Sequence, residues 1–303
     1  MREPALARFL PDGRRLHLHD GPIDLIIEAF GADEEVRAAY HAAARRFAGV
    51  LDELCSELPL LRMAARPDGS PLHGIVARRM AAAVAPFAAQ TFITPMAAVA
   101  GAVAEEILQA MVSTAALSRA YVNNGGDIAL HLAPGERFVV GLISRPDDPA
   151  LFGKATLDAS EPVRGIATSG WRGRSFSLGI ADAVTILADR AAMADAAATV
   201  VANAVDLSDH PGIVRVPACE ISPDNDLGER RVTRGVGRLS ADEISSALDS
   251  GESAARALQA SGLIRAAAIL LQGETRVVGL PEADRDVALL PAGIHSLRSR
   301  LHA

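Results

Sequence analysis

"AYVNNGGDIALHL", residues 120–132, sets two runs of alternating apolar residues on either side of Asn-Asn-Gly-Gly-Asp. A period of two marks a strand with one buried face, and Asn, Gly and Asp between two such runs mark a hairpin. The stretch therefore predicts two antiparallel strands joined by a tight turn. It also gathers Asn123, Asn124, Gly125, Gly126 and Asp127 at the strand ends. Consecutive glycines allow positive φ and leave peptide N–H groups uncovered, so a phosphate or carbonyl group can lie against the backbone there. The same residues are also ordinary turn formers, and the loop by itself names no ligand.

The neighbouring sequence extends the pattern. "SRAYVNN", "DIALHL", "ERFVVGLIS", "KATLD", "VRGIATSG" and "AVTILAD" all read as strands, and "GIVRVPACEI" adds another after a helix over 191–205. "RRLHLHDGPIDLIIEAFG" alternates, turns at Asp20-Gly21 and alternates again, which predicts a hairpin near the N-terminus. A second predicted hairpin, "AAAILLQGETRVVG", turns at Gly273. Apolar residues recur at helical spacing from Ala32 to Leu58, with acids in the first turn, and a long amphipathic helix is expected there. Further helices are expected over 74–90, over 95–113 with Pro95 near its start, and over 240–264 behind a capping box of Ser240 and Glu243. Strands adjacent in sequence without regular βαβ alternation make this α+β, with mostly antiparallel sheets packed against Ala-rich helices. No repeat and no Gly/Ser/Pro-rich linker divides the chain, so one domain over residues 1–303 is expected.

Composition removes several function classes. Half of the 303 residues are hydrophobic and 22% are charged, as in a globular protein, and a net charge of -7 offers no footprint for nucleic acid. Two cysteines, Cys55 and Cys219, are too few for a disulfide framework, which fits a reducing cytoplasm. The longest apolar run, Met96 to Val112, carries Glu105 and Glu106 and reads as a buried helix with no membrane partner.

Four places bear chemistry. His17 and His19 fall on one face of the first hairpin's first strand, where they could hold a metal if a third ligand joined them and otherwise make a polar strand face. The Gly125-Gly126 loop is the second. The strand end Thr168-Ser169-Gly170 delivers two hydroxyls and a flexible backbone at one point, followed by the single tryptophan, Trp171, with Arg172 and Arg174. Hydroxyls and guanidinium groups suit a phosphorylated or carboxylated ligand, and equally suit an exposed polar loop. Asp195 and Thr199 stand four apart on a helix, so both oxygens share one face, where they can ligate a hard cation such as Mg²⁺ or simply face solvent.

In this order these stretches resemble the ApbE family, flavin transferases that attach FMN from FAD to a Ser or Thr of target proteins. The family's V-N-x-G-G-D-I loop is matched by Val122, Asn123, Asn124, Gly125, Gly126, Asp127 and Ile128, and its A-T-S-G strand end by Ala167 to Gly170. Its strand followed by M-x-A-D-A-x-A-T is matched by "VTILADRAAMADAAAT", with one residue fewer between Met193 and Ala194. The resemblance implies Mg²⁺ on Asp195 and Thr199. It implies FAD or FMN against Asn123, Asn124, Gly125, Gly126, Asp127, Thr168, Ser169, Gly170 and Ser177. Asp182 would stand in for a family aspartate at the catalytic position.

The family's H-I-I-D-P segment is replaced by "SFSLGIADA" at 175–183, and its G-I-A-K-G-Y helix start by "AAVAGAVAEE" at 97–106, so the expected His and Lys are absent. A transferase that supports a pyrophosphate leaving group needs such cationic help. The chain is more similar to a branch of this superfamily without an assigned reaction, over roughly residues 10 to 280. Three readings stay open: a Mg²⁺-dependent flavin- or nucleotide-utilising transferase, a non-catalytic binder or accessory factor for a flavin or other heteroaromatic ligand, and an interaction subunit. The stripe of the Ala32–Leu58 helix would suit a homodimer in the last of these.

Overall fold

The computed structural model describes residues 5–69, 71–143 and 151–279. Strands β1 (Leu6–Phe9), β2 (Leu16–Asp20) and β3 (Ile23–Phe30) lead into helices α1 (Asp33–Phe47), α2 (Val50–Ser56), α3 (Leu58–Leu61) and α4 (Ile75–Val84). A 3₁₀ turn at Pro95–Ala98 opens α5 (Val99–Val112). Strands β4 (Arg119–Asn124), β5 (Asp127–Leu132), β6 (Arg137–Ile143), β7 (Leu151–Asp158), β8 (Gly165–Ser169) and β9 (Ala183–Ala188) follow. The chain continues through α6 (Ala191–Ala204), β10 (Ile213–Pro217), α7 (Ala218–Ile221), β11 (Arg231–Val236), α8 (Ala241–Ala260), β12 (Ala266–Leu271) and β13 (Glu274–Val278).

Nine strands form one antiparallel sheet in the order β1-β2-β3-β4-β5-β8-β9-β12-β13, while β6-β7 and β10-β11 are separate two-stranded ribbons. The expected α+β architecture is what forms. Leu18, Leu25, Ile27, Val122, Ala129, Ala167, Ile186 and Ile269 point to one face, where α1, α4, α5, α6 and α8 bury them. A fully buried Leu or Ile contributes about 1.5–3 kcal/mol, so this face carries most of the fold's stabilisation. On the other face Leu130, Ile166, Leu187 and Ala266 pack with Leu157, Phe138 and Val140 of the β6-β7 ribbon. The sheet's middle is thus covered on both sides, and β9 and β12 are buried at every position.

Several expectations need correction. The single helix expected from Ala32 to Leu58 is three helices, because the chain turns at Ala48-Gly49 and again at Glu57. Gly disfavours helix continuation, and the break lets Val50 and Leu54 join the core along a new axis. The apolar stripe of α1 (Ala39, Tyr40, Ala43, Phe47) is buried within this chain. Cys219 lies in α7 and not in a strand. β1 and β11 have no counterpart in the sequence reading: β1 is exposed at every position and β11 is half exposed, so neither shows the alternation that marks a strand. Ser144, at the end of the strand expected over 136–144, lies outside the described residues.

The stretch Pro95–Val112 is long and apolar enough to cross a membrane by length and composition. Its acids are instead paired inside the protein. Glu106 meets Arg46 Nε at 2.6 Å and Arg79 Nη1 at 3.0 Å, and Glu105 meets Arg79 at 3.1 Å and Arg190 at 2.9 Å. Glu105 Oε1 also accepts the Ala192 N–H at 2.8 Å, capping α6, whose own N-cap residue Arg190 has no capping side chain. One carboxylate of α5 thereby sets the start of α6.

Candidate functional site

The tight turn forms as the sequence predicts. Asn124 pairs with Asp127, leaving Gly125 and Gly126 as a two-residue connection with φ of +66° and +115°. Such turns need positive φ, which glycine adopts without a β-carbon clash. Asn123 Oδ1 accepts the Gly126 N–H at 2.8 Å and holds the turn from its own strand. Pleating sends the neighbours in opposite directions. Asn124 is buried on the helical face, where its Nδ2 donates to the Ala100 carbonyl at 3.2 Å.

Asp127 shares that face with Asn124, and here the structure brings distant residues together. Asp195, on the otherwise buried Ala-rich helix α6, accepts the Gly101 N–H at 3.0 Å. Asp127 accepts the Thr168 N–H at 3.2 Å and lies near enough to Asp195 for the two charges to repel. Both residues are half-buried, with protein packed around their carboxylates. Loss of hydration raises the Asp127 carboxyl to about 7 and raises that of Asp195, which the Asp127 charge pushes further. Among the described residues no Lys, Arg or His pairs with either. Thr199, one turn along α6 and also part-exposed, has no hydrogen-bonding partner for its hydroxyl among them.

Two oxygen-rich side chains and a free hydroxyl on facing elements, without a cationic partner, fit a hard divalent cation. Gly101 makes the approach possible. A β-carbon there would stand 2.3 Å from the Ala191 carbonyl oxygen, so only glycine lets α5 and α6 meet this closely. The Ala- and Gly-rich sequence of 95–113 allows its backbone to approach a neighbour closely, and Gly101 is the position where it does.

The strand end 168–170 is divided by the pleat and does not deliver both hydroxyls to one point. Thr168 gives its N–H to Asp127, but its hydroxyl meets Thr185 at 2.9 Å on the opposite face. Ser169 shares the helical face with Ala167 and is half-buried. Gly170 is buried with its backbone against the Asp182 carbonyl. The arginines also part. Arg172 lies 4.3 Å over the Trp171 ring and donates to Asp182 at 2.6 Å, whereas Arg174 is exposed with no ion pair among the described residues. Its Nη1 sits 3.6 Å from where a β-carbon on Gly125 would stand.

Asp182 and Ser177 lie deeper. Asp182 Oδ1 accepts from Trp171 Nε1 and Arg172 Nε, and Oδ2 accepts the Gln272 N–H at 2.6 Å, so protein donors occupy both oxygens. Ser177 is buried; its hydroxyl meets Asn203 Oδ1 at 3.3 Å and its carbonyl accepts the Thr233 N–H. The structure thus gathers Asn124, Asp127, the Thr168 backbone and Asp195 around the α5 start. It places Asp182 and Ser177 in the layer that shapes the 171–183 loop.

Residues 7–277 match the family described as AbpE bacteria, which is related to ApbE. The chain belongs to that family. It is 40% identical over 150 residues to a UPF0280 protein of Methanopyrus kandleri, covering 49% of this chain and 56% of that one. It is 41% identical over 123 residues to a UPF0280 protein of Methanococcoides burtonii, covering 40% and 49%. Against a UPF0280 protein of Methanocella arvoryzae the identity is 32% over 176 residues, covering 57% and 69%. The chain spans about half the length of the first two relatives, and their name states no reaction.

Proposed function

We propose that this AbpE bacteria family protein binds a phosphorylated ligand of the flavin-nucleotide class through Mg²⁺ held by Asp127, Asp195 and Thr199. The observation that carries this reading is the neighbouring pair of half-buried carboxylates, Asp127 and Asp195, with backbone N–H groups as partners and no cationic side chain among the described residues. Ionising both without a cation is costly, and a divalent ion offsets that cost. When bound, Mg²⁺ would neutralise phosphate charge and polarise a phosphoryl oxygen. The chain's own groups do the rest. Gly125 and Gly126 leave the turn without side chains in a phosphate's way, with the Gly126 N–H already held by Asn123, and Arg174, without an ion pair among the described residues, offers a guanidinium beside it. Trp171, held by Arg172 and Asp182, presents an aromatic face next to the strand end for a heteroaromatic ring.

Transfer of FMN, the reaction of the resembling family, is the finer form of this proposal. The second reading, a non-catalytic binder, draws on Asp182. With three protein donors, from Trp171, Arg172 and Gln272, on its two oxygens, its carboxylate is engaged in positioning the loop.

Thermal unfolding of the full chain with FAD, FMN and ADP, each with and without Mg²⁺, tests the binding proposal, and release of AMP from FAD separates the two forms. A Mg²⁺-dependent rise in Tm with FAD that Asp195→Asn abolishes is expected. No rise with any of these nucleotides, or an equal rise in the variant, would overturn it.

A further inference from the structure

The opposite face of the sheet carries a second cluster that the Asp127–Asp195 pair does not use. His17 and His19 alternate along β2, and pairing with β3 sets Asp24 directly across from His19 and diagonal to His17. Asp24 Oδ2 lies 3.2 Å from His19 Nδ1, and both Asp24 oxygens lie 3.2 Å from His17 Nε2. All three residues can offer ligand atoms within 4.8 Å of one another. A tetrahedral Zn²⁺ with bonds of about 2.0–2.1 Å separates neighbouring ligand atoms by about 3.3 Å. The hairpin thus supplies the third ligand that the H-x-H spacing lacks, already spread to nearly that separation.

We propose that His17, His19 and Asp24 form a binding site for a divalent transition metal of the Zn²⁺ type, with one coordination position open to water or an incoming ligand. Two imidazoles and one carboxylate suit Zn²⁺ or its neighbours, whereas Mg²⁺ prefers oxygen alone, so this site and the Asp127–Asp195 pair on the other face select different ions. The open position follows from burial. His17 is 9% exposed and backs the site, while His19 is exposed and Asp24 half-exposed on the solvent side. Three protein ligands with a free fourth position are the pattern of exchangeable or reactive zinc.

Arg8 regulates entry. Its Nε donates to His17 Nδ1 at 3.2 Å, and because a guanidinium only donates, Nδ1 is the unprotonated nitrogen and Nε2 carries the hydrogen toward Asp24. A metal on Nε2 requires the other tautomer, with the hydrogen on Nδ1, so Arg8 must turn away. β1 is an exposed edge strand, and moving this side chain disturbs no core contact. Arg8 and the metal therefore compete for His17.

The test is titration of chelator-treated full-length protein with Zn²⁺ against a chromophoric competitor, and with Co²⁺ for the visible bands of tetrahedral coordination. Wild type is expected to bind one equivalent with those bands. His19→Ala and Asp24→Asn, both at accessible positions, are expected to weaken binding by roughly tenfold or more. Arg8→Met is expected to tighten it. His41→Ala on α1 is expected to leave it unchanged. Equal affinity in wild type, His19→Ala and Asp24→Asn, or no stoichiometric binding, would overturn the site. Weaker binding in Arg8→Met would overturn the competition for His17.

Discussion

Asp195 accepts a hydrogen bond from the Gly101 N–H at 3.0 Å, tying the middle of one Ala-rich helix to the start of another across 94 residues of chain. This contact turns the carboxylate of α6 toward the Gly125-Gly126 hairpin and beside Asp127. The pair therefore depends on how closely α5 and α6 approach, and its properties can be probed one group at a time.

Asp195→Asn is expected to remove Mg²⁺-dependent stabilisation. Wild type at a Mg²⁺ concentration a hundredfold above Kd should gain about 2.7 kcal/mol. Denaturant unfolding with and without Mg²⁺ reads the difference, and an equal gain in the variant would remove Asp195 from the ion's ligands.

The carboxyls of Asp127 and Asp195 predict a pH dependence with a definite sign. Both are raised in the folded state, Asp127 to about 7, so the native protein holds protons that the unfolded chain releases near pH 4. The Asp127 contribution is fully present below about pH 4 and is lost as pH rises toward and through about 7, and that of Asp195 is lost in the same direction. Chelator-treated wild type should therefore lose a few kcal/mol relative to Asp127→Asn/Asp195→Asn between pH 5 and pH 8. Mg²⁺ should flatten the difference. Parallel wild-type and variant profiles would show that the pair is not buried as described.

Gly101→Ala tests the helix crossing. Its β-carbon would stand 2.3 Å from the Ala191 carbonyl oxygen, so α5 and α6 must separate, at a cost of about 2–3 kcal/mol. Urea unfolding should show that loss, and Mg²⁺ affinity should fall with it as Asp195 draws away from Asp127.

Asp182→Asn should free the Trp171–Arg172 loop. Losing the charge-assisted bond to Arg172 costs about 1.5–3 kcal/mol. Trp171 is the single tryptophan, so its fluorescence reports the loop without interference. A red-shifted emission is expected; an unchanged spectrum would mean that Asp182 does not hold the ring.

Gly126→Val separates conformation from space. Nothing lies within 4 Å of a β-carbon there, but φ of +115° is closed to a β-branched residue, so a cost of about 1–3 kcal/mol is expected. Ligand binding should fall far more than stability, because the side chain fills the open space through which a ligand approaches the turn backbone. Unchanged FAD and ADP affinity would take the turn out of the site.

Most of the sheet was legible because its central strands alternate or run apolar between turn residues, and the Asn-Gly-Gly-Asp hairpin, the Ser240 capping box and the Gly273 turn all form where their chemistry places them. β1 and β11 were not, since edge and ribbon strands bury too little to imprint a period. The α1–α2 break was hidden because helical periodicity continues across Gly49 while the backbone does not.

The sequence by itself determined the α+β class, the tight Gly125-Gly126 turn and the placement of Asp195 and Thr199 on one helical face, because turn chemistry and periodicity act over a few residues. Only the tertiary structure decided which carboxylates meet. Asp127 and Asp195 converge because Gly101 lets two helices touch, and Asp24 joins His17 and His19 because strand register sets it across from them. The pleat likewise parted Thr168 from Ser169. Such pairings depend on packing between segments far apart in the chain, where local patterns carry no information about distance.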